Sequence, residues 1–193
     1  MNYPNGIRKE KKKDSIINSW SHKNRGLSLE GEINDSNEYY RNIDKAYIYK
    51  KPTPIKITKV DYPTRASTVI KEAFFTIPST TDYNGLYQGK YIDFEAKETK
   101  SKTSFSLSNI HSHQIKHLQN IENHQGISFL IVRFSTLDET YLLQTKYLTE
   151  FLTKEEKKSI PISYFRENGF LLKNEYQPRI DYLKVVDQII GGI

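Results

Sequence analysis

The stretch Ile127–Phe134 (ISFLIVRF) constrains the fold of this 193-residue chain more than any other segment. It is an almost continuous apolar run, and such a run is typical of a β-strand that is covered on both faces. We therefore expect this strand to lie at the centre of a sheet. Amphipathic patterns from Ser28 to before Ala46 and over residues 109–125, the second stopped by Gly126, predict helices beside the sheet and indicate an α/β fold.

Further strand patterns occur on both sides of this central run. Residues 81–87 and 91–98 predict a hairpin that turns at Gln88-Gly89-Lys90, and residues 46–49 and 55–60 predict two adjacent strands. Residues 61–79, with a helix-like stretch at 66–73, are interpreted as an insertion that projects from the sheet. After the central strand we expect a strand at 140–146, a helix at 147–158, a short helix near 163–168 and a last helix that Pro178 opens.

The composition indicates a soluble, unexported protein with a basic arm. The net charge is +6, and residues 1–25 contribute +5 of it from seven basic and two acidic side chains. Residues 1–24 lack periodicity and are interpreted as a flexible arm. Because cysteine and apolar stretches of about 18 residues are missing, disulfides and a membrane span are excluded, and a cytoplasmic location fits best. A basic arm can grip nucleic-acid phosphates, although many such arms are only solvated tails.

The segment TTDYNGLYQGKYIDFEAK, residues 80–97, carries the chemistry. Side chains alternate along a strand, so Glu95 and Lys97 project together on the face that also carries Asp93. A hairpin that brings Asp82 beside Glu95 joins two carboxylates, whose repulsion is relieved by a proton or a hard cation. Oxygen ligands without cysteine favour Mg²⁺ or Mn²⁺, and such an ion suits phosphoryl chemistry. The competing interpretation is a solvated polar face on an ordinary hairpin.

Several long and idiosyncratic motifs run through the chain: MNYPNG, NRGLSLEGEINDSNEYY, STTDYNGLYQGKYIDFEAKETKSKTSF, HSHQIKH and YQPRIDYLK. Together they resemble the RecU family of Holliday junction resolvases in the PD-(D/E)xK nuclease superfamily. The resemblance implies a restriction-endonuclease-like mixed sheet flanked by helices, with residues 61–79 as a projecting stalk on a nuclease domain of residues 25–193. It also implies nicking of four-way DNA junctions during recombination and repair with Mg²⁺ as cofactor, and the oxygen donor set makes Mn²⁺ the expected substitute. Paired nicks in symmetry-related strands need two equivalent sites, so we expect a homodimer. Contact with a recombinase is a further expectation.

The resemblance also gives roles to individual residues of the central segment. It implies that Thr80, Asp82, Glu95 and Gln114 surround the Mg²⁺ ion and that Lys97 stabilises the transition state. For Gln114, near the start of the middle helix, a structural cap or a core hydrogen bond is the alternative. For Thr80 the alternative is that it only terminates the insertion.

Residues outside this segment complete the predicted site. Glu30 resembles the carboxylate that nucleases of this class place on their first helix to order the attacking water, and Glu32 is its rival. Arg25 and Arg65 suit phosphate contacts, although the default for a single arginine is a surface ion pair. Lys71 and its apolar neighbours suit the centre of a junction.

Other hypotheses stay open at this point. A sequence-specific restriction endonuclease shares the metal core, and a non-catalytic DNA-binding or recombinase-regulating protein shares the scaffold. The intact Asp82, Glu95 and Lys97 argue against the non-catalytic protein. His113 and His117 have the one-turn spacing of zinc sites, but no third ligand follows at a standard interval, so we expect solvated or DNA-facing histidines.

Overall fold

The computed structural model describes residues 28–64, 67–75, 80–154 and 157–192, so the predicted arm at residues 1–24 lies outside the described part of the chain. Its helices are α1 (Leu29–Asn42), α2 (Ser112–Asn123), α3 (Thr145–Lys154), α4 (Ile162–Asn168) and α5 (Leu183–Gly191), and Leu107–Asn109 forms a 3-10 turn. Its strands are β1 (Tyr47–Lys50), β2 (Ile55–Thr64), β3 (Ser67–Phe75), β4 (Tyr83–Tyr87), β5 (Lys90–Thr99), β6 (Ser104–Ser106), β7 (Ile127–Phe134), β8 (Glu139–Gln144), β9 (Ser159–Pro161) and β10 (Phe170–Leu172). Within these ranges no helix is long and apolar enough to cross a membrane.

The main sheet has six strands in the order β1-β4-β5-β7-β8-β10. Its strands β5 and β7 run parallel, whereas the other neighbours in this sheet run antiparallel. A parallel pair needs a crossover connection, and here the crossover contains α2. The predicted mixed sheet of an α/β protein is therefore confirmed.

Side chains of β7 enter two separate hydrophobic cores, one on each face of the sheet. Phe129 and Ile131 pack with residues of α1 and α5, whereas Leu130 and Val132 pack with residues of α2, α3 and α4. All four side chains are fully buried. Since neighbouring residues of a strand point to opposite faces, a strand with helices on both sides has to be apolar throughout. The prediction of a central strand between two helical layers is confirmed.

Strands β2 and β3 form a separate antiparallel hairpin that leaves several apolar side chains in solvent, among them Ile57, Ile70 and Phe74. Two predictions are wrong here. Residues 55–60 pair with β3 rather than with β1, and the helix-like stretch at 66–73 is strand in its described residues. Cross-strand hydrogen bonds and β-branched side chains favour the extended conformation over a weak local helix pattern. The hairpin consequently begins at Ile55, ahead of the predicted insertion.

The last helix begins at Leu183 and not at Pro178, so the prediction of its start is wrong. The backbone N–H of Ile180 donates to Ser36 Oγ on α1 over 3.0 Å, and the hydroxyl of Tyr40 donates to the Ile180 carbonyl oxygen over 3.3 Å. These long-range bonds use the backbone groups that a helix through this segment would need. Because of these tertiary contacts to α1, α5 begins at Leu183, further along the chain than predicted.

Two helix ends also differ from prediction. At the end of α2 the left-handed residue is Gln125, with φ of 64°, while Gly126 donates its N–H to the Ile121 carbonyl oxygen over 2.9 Å. A Cβ at Gly126 would lie 2.6 Å from a methyl carbon of Ile121, so close approach requires the glycine. Helix α3 ends at Lys154 rather than at 158, and β9 pairs with β6 soon afterwards. The strand pairing limits the length of α3.

Candidate active site

The β4–β5 hairpin places Asp82 beside Glu95. Its two-residue turn consists of Gln88 and Gly89, whose φ values of 48° and 72° suit the tight turn of a hairpin. The turn sets a register in which the residue after Asp82 pairs with the residue before Glu95. As a result, the backbone N–H of Asp82 donates to Glu95 Oε2 over 3.0 Å.

Lys97 joins this pair from the same face of β5. Its ammonium group forms an ion pair with Glu95 Oε1. The intervening Ala96 and the preceding Phe94 pack into the core on the opposite face, as the alternation along the strand predicted. Glu95 is fully buried, whereas the Lys97 side chain is 26% exposed and Asp82 is partly exposed. The structure thus gathers two carboxylates and one ammonium group around a point that solvent can reach.

The environment of Glu95 favours its neutral form. Burial is the largest cause and the negative charge of Asp82 is the next, and together they raise the pKa of Glu95 from 4.5 to about 7, although Lys97 acts in the opposite direction. When a proton or a cation binds to a desolvated carboxylate beside a second carboxylate, the electrostatic repulsion between the two charges is reduced. The pair is therefore a place where a positive ion lowers the free energy of the folded protein.

The donor set suits a hard divalent cation. Asp82 and Glu95 supply carboxylate oxygens, and in the described ranges no three His, Cys, Asp or Glu side chains converge as a ligand cluster. Mg²⁺ is commonly held by one or two carboxylates, with water and substrate phosphate completing its coordination. Two neighbouring carboxylates therefore suit Mg²⁺ better than a metal whose coordination shell is supplied entirely by protein side chains.

Glu30 and Glu32, the two candidates on the first helix, occupy different environments. Glu30 is exposed, and its carboxylate accepts from Lys50 Nζ over 2.6 Å. Glu32 is buried in an ion pair with Arg133, and Arg179 reaches its other oxygen over 3.1 Å. Because Glu32 is engaged inside the protein, Glu30 is the one of these two candidates that remains accessible to a substrate.

The hydroxyl of Tyr83 contacts the turn of α1 that carries Glu30. It donates to the backbone carbonyl oxygen of Glu30 over 3.4 Å. Burial raises the pKa of Tyr83 well above its ordinary value, and the negative charges of Glu30, Asp82 and Glu95 raise it further. Charges act on a titratable group in this way when they lie within a few ångströms of it. All three acidic residues therefore lie near enough to Tyr83 to act on its ionisation.

Thr80 and Gln114, the other predicted metal ligands, make different contacts. The Thr80 hydroxyl oxygen accepts from Lys51 Nζ over 3.1 Å. Gln114 Oε1 accepts from the backbone N–H of His111 over 3.0 Å, which caps the start of α2. The structure thus shows the capping interaction that sequence analysis left open for Gln114.

A second polar cluster lies around Asp93, which is fully buried. Its carboxylate accepts from Lys51 Nζ over 2.7 Å and from the hydroxyls of Thr81 and Tyr91, and it contacts His117 Nε2 over 3.1 Å. Strand alternation predicted that Asp93 lies on the same face as Glu95, but no pattern indicated a role for Asp93, Lys51 or Thr81. The expectation that His117 faces solvent or DNA is wrong, because the ring binds this carboxylate. The available signal was the strand alternation, which put a charged residue on the face that α2 covers.

The predicted DNA contacts fall in different parts of the chain. Arg25 and Arg65 lie outside the described residues. Lys71 lies on β3, where it is exposed and forms an ion pair with Asp61 on β2 over 3.4 Å. An exposed pair of this kind contributes little to stability, so its ammonium group can exchange the carboxylate for another anion.

The chain is similar to known proteins along most of its length. A family model described as Recombination protein U matches residues 24–188. A Holliday junction resolvase RecU from Staphylococcus carnosus (strain TM300) is 50% identical over 200 residues, which cover 98% of this chain and 96% of that protein. A protein of the same name from Bacillus mycoides (strain KBAB4) is 49% identical over 195 residues, which cover 98% of each chain. The solved structure of Hjc, a Holliday junction resolvase from Archaeoglobus fulgidus, aligns with a TM-score of 0.40 and 10% identity over 69% of this chain and 93% of that one.

Proposed function

Because this chain belongs to the Recombination protein U (RecU) family, it is a Holliday junction resolvase, and we propose that it nicks four-way DNA junctions with a Mg²⁺ ion held at Asp82 and Glu95. The observation that carries the proposal is a set of three contacts. Glu95 accepts from the backbone N–H of Asp82, Asp82 Oδ2 accepts from the backbone N–H of Ala96 over 3.5 Å, and Glu95 forms an ion pair with Lys97. Cleavage of a phosphodiester needs charge neutralisation and an oriented nucleophile, and this group can provide both. The restriction-endonuclease alternative predicts equal cleavage of linear duplexes, which the experiment below tests.

Asp82 and Glu95 would hold the proposed ion with their carboxylate oxygens, and Mn²⁺ would be able to replace Mg²⁺ there. When bound, a hard divalent cation supplies Lewis acidity to the scissile phosphate and makes water a better nucleophile. We keep Thr80 and Gln114 as proposed further ligands. An amide oxygen has two lone pairs, so the cap at His111 leaves Gln114 one more acceptor position.

Lys97 and Glu30 complete the proposed chemistry. The ion pair with Glu95 holds the ammonium group of Lys97 at the site, where it can donate to a phosphate oxygen as negative charge develops. Glu30 presents an exposed carboxylate near Tyr83 and can accept a hydrogen bond from the attacking water. Proximity of these groups to one phosphate lowers the entropic cost of the reaction.

The proposed DNA contacts extend from this site to the hairpin β2–β3. Lys71 and the exposed apolar residues around it would reach the centre of the junction, and Arg25 and Arg65 would bind phosphates. The organisation that we propose is a basic arm at residues 1–24 and a nuclease domain at 25–193, from which residues 61–79 project as a stalk. Residues 55–60 belong to the same hairpin and extend it toward the sheet.

The assembly and setting are also proposals. Paired nicks in symmetry-related strands need two equivalent sites, and a two-fold homodimer supplies them. A recombinase is a proposed further partner, and the cytoplasm is the proposed location, since the substrate of a Holliday junction resolvase is DNA. A protein that stays monomeric while bound to a junction would contradict the homodimer.

The proposal is tested with a synthetic four-way junction and Asp82→Asn. This variant should lose Mg²⁺-dependent cleavage by at least about 100-fold, which corresponds to about 3 kcal/mol of lost transition-state stabilisation. Binding to the junction in EDTA should persist, because phosphate contacts do not require the ion. Asp44→Asn is the matched control, since Asp44 is exposed and asparagine also tolerates its positive φ of 56°.

Three outcomes decide between the hypotheses. Full cleavage by the Asp82 variant would reject the assigned site. Equal cleavage of junction and linear duplex by the unaltered protein would favour a restriction endonuclease. Binding of junctions without cleavage under any divalent ion would favour a non-catalytic DNA-binding protein.

A further inference from the structure

We propose that the buried ion pair between Lys51 and Asp93, completed by His117, positions residues 80–82 for metal binding. Lys51 and Asp93 are then positioning residues, because they act through Thr80 and Asp82 rather than on the phosphate. The inference rests on the proposed function, since it takes Asp82 and Glu95 as the metal site.

The ammonium group of Lys51 is the centre of the cluster. It donates to Asp93 Oδ2 over 2.7 Å, to Thr81 Oγ1 over 2.6 Å and to Thr80 Oγ1 over 3.1 Å. The Asp93 carboxylate is fully buried, and the Lys51 side chain is 15% exposed. A lysine that is so nearly enclosed and makes three directed contacts restrains each of its partners.

The same residues hold the segment that carries Asp82. The backbone N–H of Lys51 donates to the Asp82 carbonyl oxygen over 2.8 Å, which continues the pairing of β1 with β4. The Thr81 hydroxyl donates to Asp93, and the N–H of Asp82 donates to Glu95. Backbone and side-chain groups of residues 80–82 are therefore held from two sides, by Lys51, which directly follows β1, and by β5.

Charge explains why the ion pair is needed beside a metal site. Asp93 and Glu95 are two residues apart on the same face of β5, which separates them by about 7 Å. Together with Asp82 they put three carboxylates on one part of the sheet. Lys51 neutralises Asp93, so a cation at the site meets the paired charges of Asp82 and Glu95 and is not drawn toward the buried Asp93.

His117 connects the cluster to the helix α2. Its Nε2 lies 3.1 Å from Asp93 Oδ2 and 3.5 Å from Lys51 Nζ. Gln114, a proposed ligand, lies one turn earlier on the same helix. The contact of His117 with Asp93 thus sets where this turn of α2 meets β5. The cluster therefore positions proposed ligands in the segment that leads into β4 and on α2.

The test compares Lys51→Met with Lys184→Met in the full chain. Both lysines pair with a carboxylate, over 2.7 Å and 2.8 Å, but Lys184 is exposed on α5, on the other side of the sheet from α2. Mn²⁺ binding without DNA is measured by electron paramagnetic resonance, and junction cleavage is measured in single turnovers. We expect Lys51→Met to weaken Mn²⁺ binding and to slow cleavage by about tenfold or more each, as is usual for groups that orient metal ligands.

Further readouts separate positioning from a general loss of structure. Junction affinity in EDTA should change by less than about threefold, because the exposed cations that bind phosphates are unaltered. The double variant Lys51→Met, Asp93→Asn removes both buried charges and should recover thermal stability without recovering Mn²⁺ affinity, since Thr80 and Thr81 still lack their donor. If Lys51→Met does not fold, the double variant carries the test.

Each outcome has a separate meaning. Wild-type Mn²⁺ affinity in Lys51→Met or in the double variant would overturn the inference, as would an equal loss in Lys184→Met. Asp82→Asn serves as the reference for the site itself. If that variant binds Mn²⁺ like the wild type, the proposed metal site is wrong, whereas loss in Asp82→Asn with retention in Lys51→Met rejects only the positioning role.

Discussion

Replacement of Glu95 by glutamine should stabilise the metal-free protein at pH 8 while it abolishes cleavage. Burial and the charge of Asp82 raise the pKa of Glu95 from 4.5 to about 7. In the unfolded chain Glu95 ionises at the lower pKa. Between the two pKa values the unfolded chain therefore binds fewer protons than the folded protein, and the free energy of unfolding falls as the pH rises through this range. Glutamine stays neutral and avoids this loss.

The two pKa values determine the magnitude. With 4.5 in the unfolded chain and about 7 in the fold, ionisation of Glu95 lowers the free energy of unfolding by about 1 kcal/mol at pH 5 and about 3 kcal/mol at pH 8. The gain in stability from Glu95→Gln should therefore be about 2 kcal/mol larger at pH 8 than at pH 5. Mg²⁺ at ten times its Kd should return about 1.4 kcal/mol to the wild type and nothing to the variant.

Urea unfolding in EDTA at the two pH values, followed by circular dichroism, measures this difference. Glu150→Gln controls for the loss of one negative charge, since Glu150 is an exposed carboxylate on α3. The reasoning is refuted if the difference between Glu95→Gln and wild type is the same at pH 5 and pH 8. Retained cleavage by Glu95→Gln would separately reject its role in the site.

Two further predictions concern the packing of the hairpin and the contact with DNA. Gly85→Ala should lower the free energy of unfolding by about 3 kcal/mol, because its Cβ would lie 2.1 Å from the Tyr47 carbonyl oxygen. Gly191→Ala, whose Cβ meets nothing within 4 Å, is the control in the same urea titration, and equal stability of the two variants would contradict the packing argument. Lys71→Ala should weaken junction binding and reduce its logarithmic dependence on salt concentration by about one, and an unchanged dependence would remove Lys71 from the DNA contact.

Local patterns in the sequence predicted those structural features that depend on residues close together in the chain. The apolar run of β7 predicted a strand between two layers, because a strand exposes successive side chains to opposite faces. The same alternation put Glu95 and Lys97 on one face of β5, and the Gln88-Gly89 turn fixed the register that brings Asp82 beside them. Three of the residues in the proposed site therefore follow from rules that act over a few residues and one short turn.

Only the tertiary structure decided the environments that depend on distant residues. Glu30 and Glu32 both lie in the first turn of α1. They differ because Glu32 forms a buried ion pair with Arg133, which is 101 residues away in the sequence. The partner of Asp93 is Lys51, which lies 42 residues earlier, directly after β1. The late start of α5 depends in the same way on a hydrogen bond across 144 residues. Burial and charge pairing are set by the residues that the fold brings together, and a local pattern carries no information about them.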